Sequence, residues 1–306
     1  MLAAVLSCFA ASVLAPWVRR TFRGATGWIL ALLPLALTAY FSLHLPGVVA
    51  GDVVRDTRPW VPGLDVALSF RLDGLSLLFA LLVTGIGALV VLYAGTYMEK
   101  YPAPGRFHAL ILAFMGSMLG LVLADDVIVL YVFWELTSVT SFLLIGFDHE
   151  RAAARRAARQ ALLVTAFGGL ALLAGLLLLS RVAGTLELSA MLAEGDAVKA
   201  DPLFLPILLL VLLGAFTKSA QVPFHFWLPN AMEAPTPVSA YLHSATMVNA
   251  GIYLLLRLRP VLDGTVGWSW LIAGVGGATA LWGALEALRQ TDLKRLLAFT
   301  TVAALG

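Results

Sequence analysis

Four ionisable residues stand within long apolar runs, where such groups are rare and need a reason to be there. Glu135 lies in YVFWELTSVTSFLLIG, with aromatic residues before it and hydroxyls after it. Lys218 lies in GAFTKSAQVP, His243 in AYLHSATMVNAG, and Lys294 opens TDLKRLLAFTT. On insertion scales a Lys or Asp at the bilayer centre costs roughly 2.5–3.5 kcal/mol. Each of the four has a bland reading. Glu135 and Lys218 can neutralise each other as a structural ion pair, and His243 can be a hydrogen-bonded packing residue. Lys294, close to Asp292 and Arg295, can snorkel from an interface. Yet carboxylate, amine, imidazole and amine on separate segments are also the parts of a proton relay. Burial makes an amine release its proton more readily, and a nearby carboxylate opposes that release. Histidine titrates near neutral pH and can pass a proton on. Taken together, the four residues point to proton transport. No feature of the sequence points to covalent catalysis.

The elements that must position them are membrane helices. About 60% of the 306 residues are hydrophobic, 12% are charged, and the mean hydropathy is +0.92. Soluble domains are about a quarter charged. Apolar runs close to the roughly 20 residues that span a bilayer predict helices near 1–17, 26–44, 73–97, 107–124, 127–147, 157–180, 203–228, 234–257 and 267–288. A tenth starts near Lys294, and the thirteen residues from there to Gly306 do not cross about 30 Å at 1.5 Å each. The expectation is therefore an all-α, polytopic chain of about ten transmembrane helices, forming one transmembrane domain over 1–306 and belonging to a longer membrane protein. The first helix has no basic segment before it and reads as a retained span, not a signal peptide. A single cysteine, Cys8, excludes an internal disulfide framework, and a net charge of +2 gives no reason to expect nucleic acid. Asp73, Asp125 and Asp126 fall at helix ends, where solvated caps are the expectation, and no acidic cluster marks a sodium site within a span.

Pro223 bears directly on Lys218. It lacks a backbone donor and clashes with the carbonyl of Ser219, so the seventh span must kink or break there. Carbonyls freed inside a membrane need protein or water partners, and Thr217, Ser219 and Gln221 are at hand. His225 follows Lys218 by seven residues, a spacing that shares a face only in a continuous helix. Interrupted helices with polar breaks are the usual ion sites of secondary transporters. For orientation, one set of loops carries eleven cationic residues: Arg19, Arg20, Arg23, Lys100, Arg106, Arg151, Arg155, Arg156, Arg159, Arg289 and Arg295. The opposite set carries seven, so the positive-inside rule puts the N-terminus outside a bacterial cell membrane.

At these residues the chain resembles a known family. FWELTSVTSFLLIGF, GAFTKSAQVPFHFWLPNAMEAPTPVSAYLHSATMVNAGIYLL and TDLKRLLAFTTVAALG look like the proton-translocating, antiporter-like membrane subunits. These occur in respiratory complex I, in membrane-bound hydrogenases and in Mrp-type multisubunit cation/proton antiporters. The resemblance runs from about Leu72 to Gly306. Together with LDGLSLLFALLVTGIGALVVLYAGTYM, it is strongest to the large A-type chain of the Mrp antiporters, with complex I chain 5 second. It implies that Glu135 on the fifth span and Lys218 on the broken seventh form an ion pair whose opening and closing drives proton transfer. His243 would be the eighth-span histidine, Lys294 the lysine leading to a second half-channel, and His225 a histidine found after the break. It also implies helices 1–3 at about 1–97, a first five-helix repeat at about 107–257 and the start of a second, inverted one at about 267–306. Other subunits, the bilayer, Na+ and H+ would be the partners. No cofactor is expected, since cluster, flavin and haem motifs are missing from the sequence, and any redox chemistry would sit in other chains. One departure stands out. The Mrp A type often carries a lysine in its MVxAG motif where this chain has Asn249, which can hold a water but cannot carry a proton at neutral pH.

Overall fold

The computed structural model describes residues 1–243 and 245–306. Helices follow the apolar runs: α1 (Leu2–Thr21), α2 (Thr26–Leu43), α3 (Gly74–Tyr97), α4 (Pro104–Leu123), α5 (Val127–Ile145) and α6 (Ala152–Ala183). After them come α7 (Phe204–Lys218), α8 (Thr236–Leu242), α9 (Asn249–Leu262), α10 (Val266–Leu288) and α11 (Leu293–Leu305). Among the described residues seven helices are long and apolar enough to cross a membrane, those of α1 to α6 and α10. Several of their starts are set by side chains that accept orphan backbone N–H groups. Asp73 and Ser76 form a reciprocal capping box on α3, Asp126 caps α5, Thr265 caps α10 and Asp292 caps α11.

The seventh and eighth spans differ from the other expected helices. The seventh stops at Lys218, five residues before Pro223, because Ala220 takes a left-handed conformation with φ 50°. The eighth is not one helix over 234–257, as expected, but two, with α8 ending at Leu242 and α9 starting at Asn249. Protein groups take up carbonyls at both interruptions. Gln221 Nε2 donates to the Ser219 carbonyl at 3.1 Å and Trp227 Nε1 to that of Thr217 at 2.9 Å. Thr246 Oγ1 donates to the Tyr241 carbonyl at 2.7 Å, and Ser219 Oγ to that of Val248 at 2.6 Å. Side chains here supply donors that the helical ladder no longer provides.

The helices pack by close approach. α1 lies on α4, α2 on α3, and α7 on α6. At the α2–α3 crossing, a Cβ on Gly27 would fall 2.8 Å from Gly95 Cα and one on Gly95 2.7 Å from Gly27 Cα, so only glycine lets these backbones meet. A hairpin that the periodicity did not announce covers one end of the bundle: β1 (Val54–Val61) pairs antiparallel with β2 (Val66–Leu72). The N-terminal ammonium donates to Asp56 at 3.2 Å, and the Asp125 backbone N–H donates to the Ser69 carbonyl at 2.8 Å. The hairpin thereby ties the start of α1 to the α4–α5 turn.

Asp73, Asp125 and Asp126 do cap and brace helix ends, but Asp125 and Asp126 are buried, not solvated. The hairpin and the segment around Ser189 close over them, since Asp125 accepts from Ser189 N and Oγ, and Asp126 from Ala67 N. Burial pushes both carboxyls up, against the pull of these hydrogen bonds. For Asp73 burial acts in the same direction, yet the Arg257 guanidinium from α9 outweighs it and holds the carboxyl well below the usual range. Arg257 is 7% exposed, bonds both Asp73 oxygens, and donates through Nε to Tyr253 at 3.1 Å. Asp73→Asn keeps a capping acceptor but leaves that cation without its main counter-charge. The expected cost is about 3 kcal/mol, read as a lowered thermal midpoint of the detergent-solubilised protein; an unchanged midpoint would show the pair to be dispensable.

Candidate functional site

Lys218 ends α7 and is wholly buried, 0% exposed. Its Nζ donates to the Trp134 carbonyl at 3.0 Å and to Ser138 Oγ at 2.7 Å, and lies 5.0 Å from the Trp134 ring centroid. The ammonium is therefore solvated by a carbonyl, a hydroxyl and an aromatic face. Among the described residues it makes no ion pair within 4.0 Å. The expected contact with Glu135 is open. Glu135 sits on the same α5 turn as Trp134 and Ser138, is near enough to act on Lys218 electrostatically, and holds Oε1 buried without a partner. Nζ is taken up instead by the Trp134 carbonyl and by Ser138, three residues along α5 from Glu135.

Two adjacent glycines on α6 make room for this arrangement. A Cβ on Gly169 would fall 1.9 Å from Glu135 Oε1, and one on Gly168 would fall 1.7 Å from Thr217 Oγ1. Any larger residue at either position displaces the carboxylate or the hydroxyl next to Lys218.

His243 caps α8 at the second interruption and is 2% exposed, with both ring nitrogens buried and unbonded among the described residues. Trp227 stands between the two breaks: its Nε1 bonds the Thr217 carbonyl while its ring lies 6.1 Å from the His243 ring. A buried indole needs an acceptor, and here that need ties the residue before Lys218 to the wall of the His243 site. Lys294, in the first turn of α11, donates to the carbonyls of Met232 at 3.2 Å and Ala234 at 2.9 Å, just ahead of α8. It is held by backbone oxygens within the fold, and its charge reaches His243. His225 goes elsewhere. Because α7 stops at Lys218, His225 lies on a short helical turn, its ring 5.9 Å from that of Trp282 on α10. The helical face that its spacing allowed does not form.

A buried lysine and a buried histidine at two helix interruptions, with a half-buried glutamate on the helix facing the lysine, inside a bundle of apolar helices, define a polytopic membrane protein with ionisable side chains in its interior. The family model for NADH:quinone oxidoreductase/Mrp antiporter transmembrane regions matches residues 124–306, and that for the N-terminus of complex I chain 5 matches 60–108. The chain belongs to the NADH:quinone oxidoreductase/Mrp antiporter transmembrane family. It is 52% identical over 305 residues to the A-type chain of a Na(+)/H(+) antiporter of Alkalihalophilus pseudofirmus, covering 99% of this chain and 38% of the relative. To the A/B-type chain of a probable K(+)/H(+) antiporter of Rhizobium meliloti it is 52% identical over 303 residues, covering 99% and 30%. It thus spans about a third of the length of these relatives. A chain of the Mrp complex from Dietzia sp. DQ12-45-1b superposes with a TM-score of 0.92 at 41% identity, covering 99% of this chain and 33% of that one. The fold is shared with a chain of a membrane-bound sulfane sulfur reductase, an archaeal respiratory complex, with a TM-score of 0.87 at 21% identity over 99% and 62% of the two chains.

Proposed function

We propose that this chain acts within an A-type subunit of a multisubunit monovalent cation/proton antiporter and moves protons through Glu135, Lys218, His243 and Lys294. The observation that carries the reading is the buried Lys218 ammonium, held by Trp134 and Ser138 near the Glu135 carboxylate, whose buried Oε1 has no hydrogen bond among the described residues. Ser138 and Glu135 lie three residues apart on α5, so both are neighbours on one helix face. A swing of Nζ from one to the other closes or opens the pair. Away from the carboxylate a buried ammonium is easier to deprotonate, and near it harder. His243, with both nitrogens unbonded among the described residues, can accept on one and donate from the other. Lys294 takes the charge onward, and His225 has a secondary role at the α10 side. α4 to α9, with α8 and α9 counted as one interrupted span, would form the first five-helix unit, over about 107–257, with a second starting at about 267. Other antiporter subunits would flank the chain, with the arginine-rich loops in the cytoplasm and the N-terminus outside.

The test is cation-dependent proton flux in everted vesicles carrying the complete complex. Ser138→Ala removes one of the two acceptors that hold Lys218. Exchange is expected to fall about tenfold, and Ser138→Thr, which restores a hydroxyl, is expected to recover most of it. Equal rates for alanine and threonine would show that Ser138 only fills space. The second family model carries the name of complex I chain 5, which favours one other reading, a proton-pumping subunit of a redox complex. Proton flux that follows electron transfer and ignores added Na+ and K+ would select it.

A further inference from the structure

A groove of about 570 Å³ opens between the start of α4, the end of α5 and the start of α6. Its wall has two tiers. Leu110, Phe142 and Leu143 lie inside the spans and are apolar, with Leu143 42% exposed. Arg106, Arg155 and Arg159 lie nearer the helix ends. Among the described residues the recorded acceptors of these three guanidiniums are neutral carbonyls. Arg106 donates to the Phe147 carbonyl at 3.0 Å, Arg155 to those of His149 and Glu150 at 2.6 and 2.8 Å, and Arg159 to that of Arg155 at 3.3 Å. Among the described residues none of them makes an ion pair, whereas neighbouring Arg151 meets both Asp148 and Glu233. Each guanidinium has five N–H donors in a planar fork that matches phosphate, so most of this donor capacity is left for a ligand.

We propose that the groove binds an anionic diacyl phospholipid of the surrounding bilayer, with its phosphate among Arg106, Arg155 and Arg159 and an acyl chain along Leu110, Phe142 and Leu143. The two tiers decide the occupant. A free phosphate would satisfy the cations and leave the apolar tier bare. An acidic polypeptide segment would have to bury its backbone polar groups against Leu143 and Phe142 at membrane depth, which is costly without partners. A phospholipid matches both tiers at once. None of the groove residues belongs to the proposed relay, so the inference stands whether or not that relay operates.

The experiment is native mass spectrometry of the intact assembly, purified from membranes and exchanged into micelles containing phosphatidylglycerol or phosphatidylcholine. Wild type is compared with Arg155→Gln/Arg159→Gln, with Arg155→Lys/Arg159→Lys, and with the charge-matched control Arg289→Gln/Arg295→Gln. Wild type, the lysine variant and the control are expected to retain phosphatidylglycerol over phosphatidylcholine, and the glutamine groove variant to lose about tenfold of that preference. Should the glutamine variant fail to assemble, wild type labelled with phosphatidylglycerol carrying a photoreactive acyl chain decides. Crosslinks at Leu110, Phe142 or Leu143 support the site. Equal retention of the two lipids, equal loss in the control, displacement by inorganic phosphate alone, or photolabel outside the groove overturns it.

Discussion

Lys218→Ala is expected to abolish cation-dependent proton exchange while the protein still assembles. The side chain is wholly buried and bonds groups of a different helix, so its loss removes the ammonium from the α5–α7 contact altogether. The Trp134 carbonyl is left with one bond fewer, and Ser138 can still donate to Trp134 O, which it already approaches at 3.4 Å. Glu135 loses the Lys218 charge that acts on it electrostatically. A half-buried carboxylate whose Oε1 is buried without a partner among the described residues is costly as an anion, and taking up a proton relieves the cost. Folding therefore has an escape that transport does not. Removing a proton-transfer group slows such steps by about a hundredfold or more, which in everted vesicles reads as loss of the cation-dependent signal. Complex amount, followed on blue native gels, should stay near wild type. Wild-type exchange by Lys218→Ala would remove Lys218 from the path and with it the proposed relay.

The spans and the first interruption were legible in the sequence because each rests on local features. Apolar run lengths placed α1 to α6 and α10 within a few residues, and Pro223 announced an irregular stretch after Lys218. The second interruption was not legible. The run 234–257 keeps a helical apolar pattern, and its break is sustained by partners from elsewhere in the chain, among them Ser219 from the end of α7 reaching Val248. The hairpin was missed for a related reason: VRDTRPWV carries three charges and a proline, and reads as a loop until α1 and the α4–α5 turn close around it. At the site, residue types were readable and pairings were not. Glu135 and Lys218 stood out as charges in apolar runs, but the ammonium's actual acceptors, Trp134 and Ser138, are 84 and 80 residues away in sequence. The hydroxyls after Glu135 were the available hint. Trp227 and the Gly168–Gly169 pair gave no signal beyond being an aromatic residue and two small ones in a helix.

His243→Gln is expected to preserve assembly and to slow exchange about tenfold or more, and His243→Lys to retain more activity than glutamine. The site explains the ranking. His243 is buried, and neither ring nitrogen has a hydrogen-bond partner among the described residues. Unbonded nitrogens beside Trp227 suit a group that takes a proton from one side and gives it up on the other. Glutamine matches the size and polarity but holds no extra proton at neutral pH. Lysine restores a group that carries charge, at a position that lies just past the end of α8. A path crossing the membrane at α5 and α7 alone would not need an ionisable group here. A lateral path toward Lys294 does, because the two amines are bonded to different parts of the fold, Lys218 to α5 and Lys294 to the segment before α8. The measurement is cation-dependent flux in everted vesicles for the three proteins at matched complex amounts. Glutamine active and lysine dead would mean that His243 orders water or packing and that protons leave Lys218 by another route.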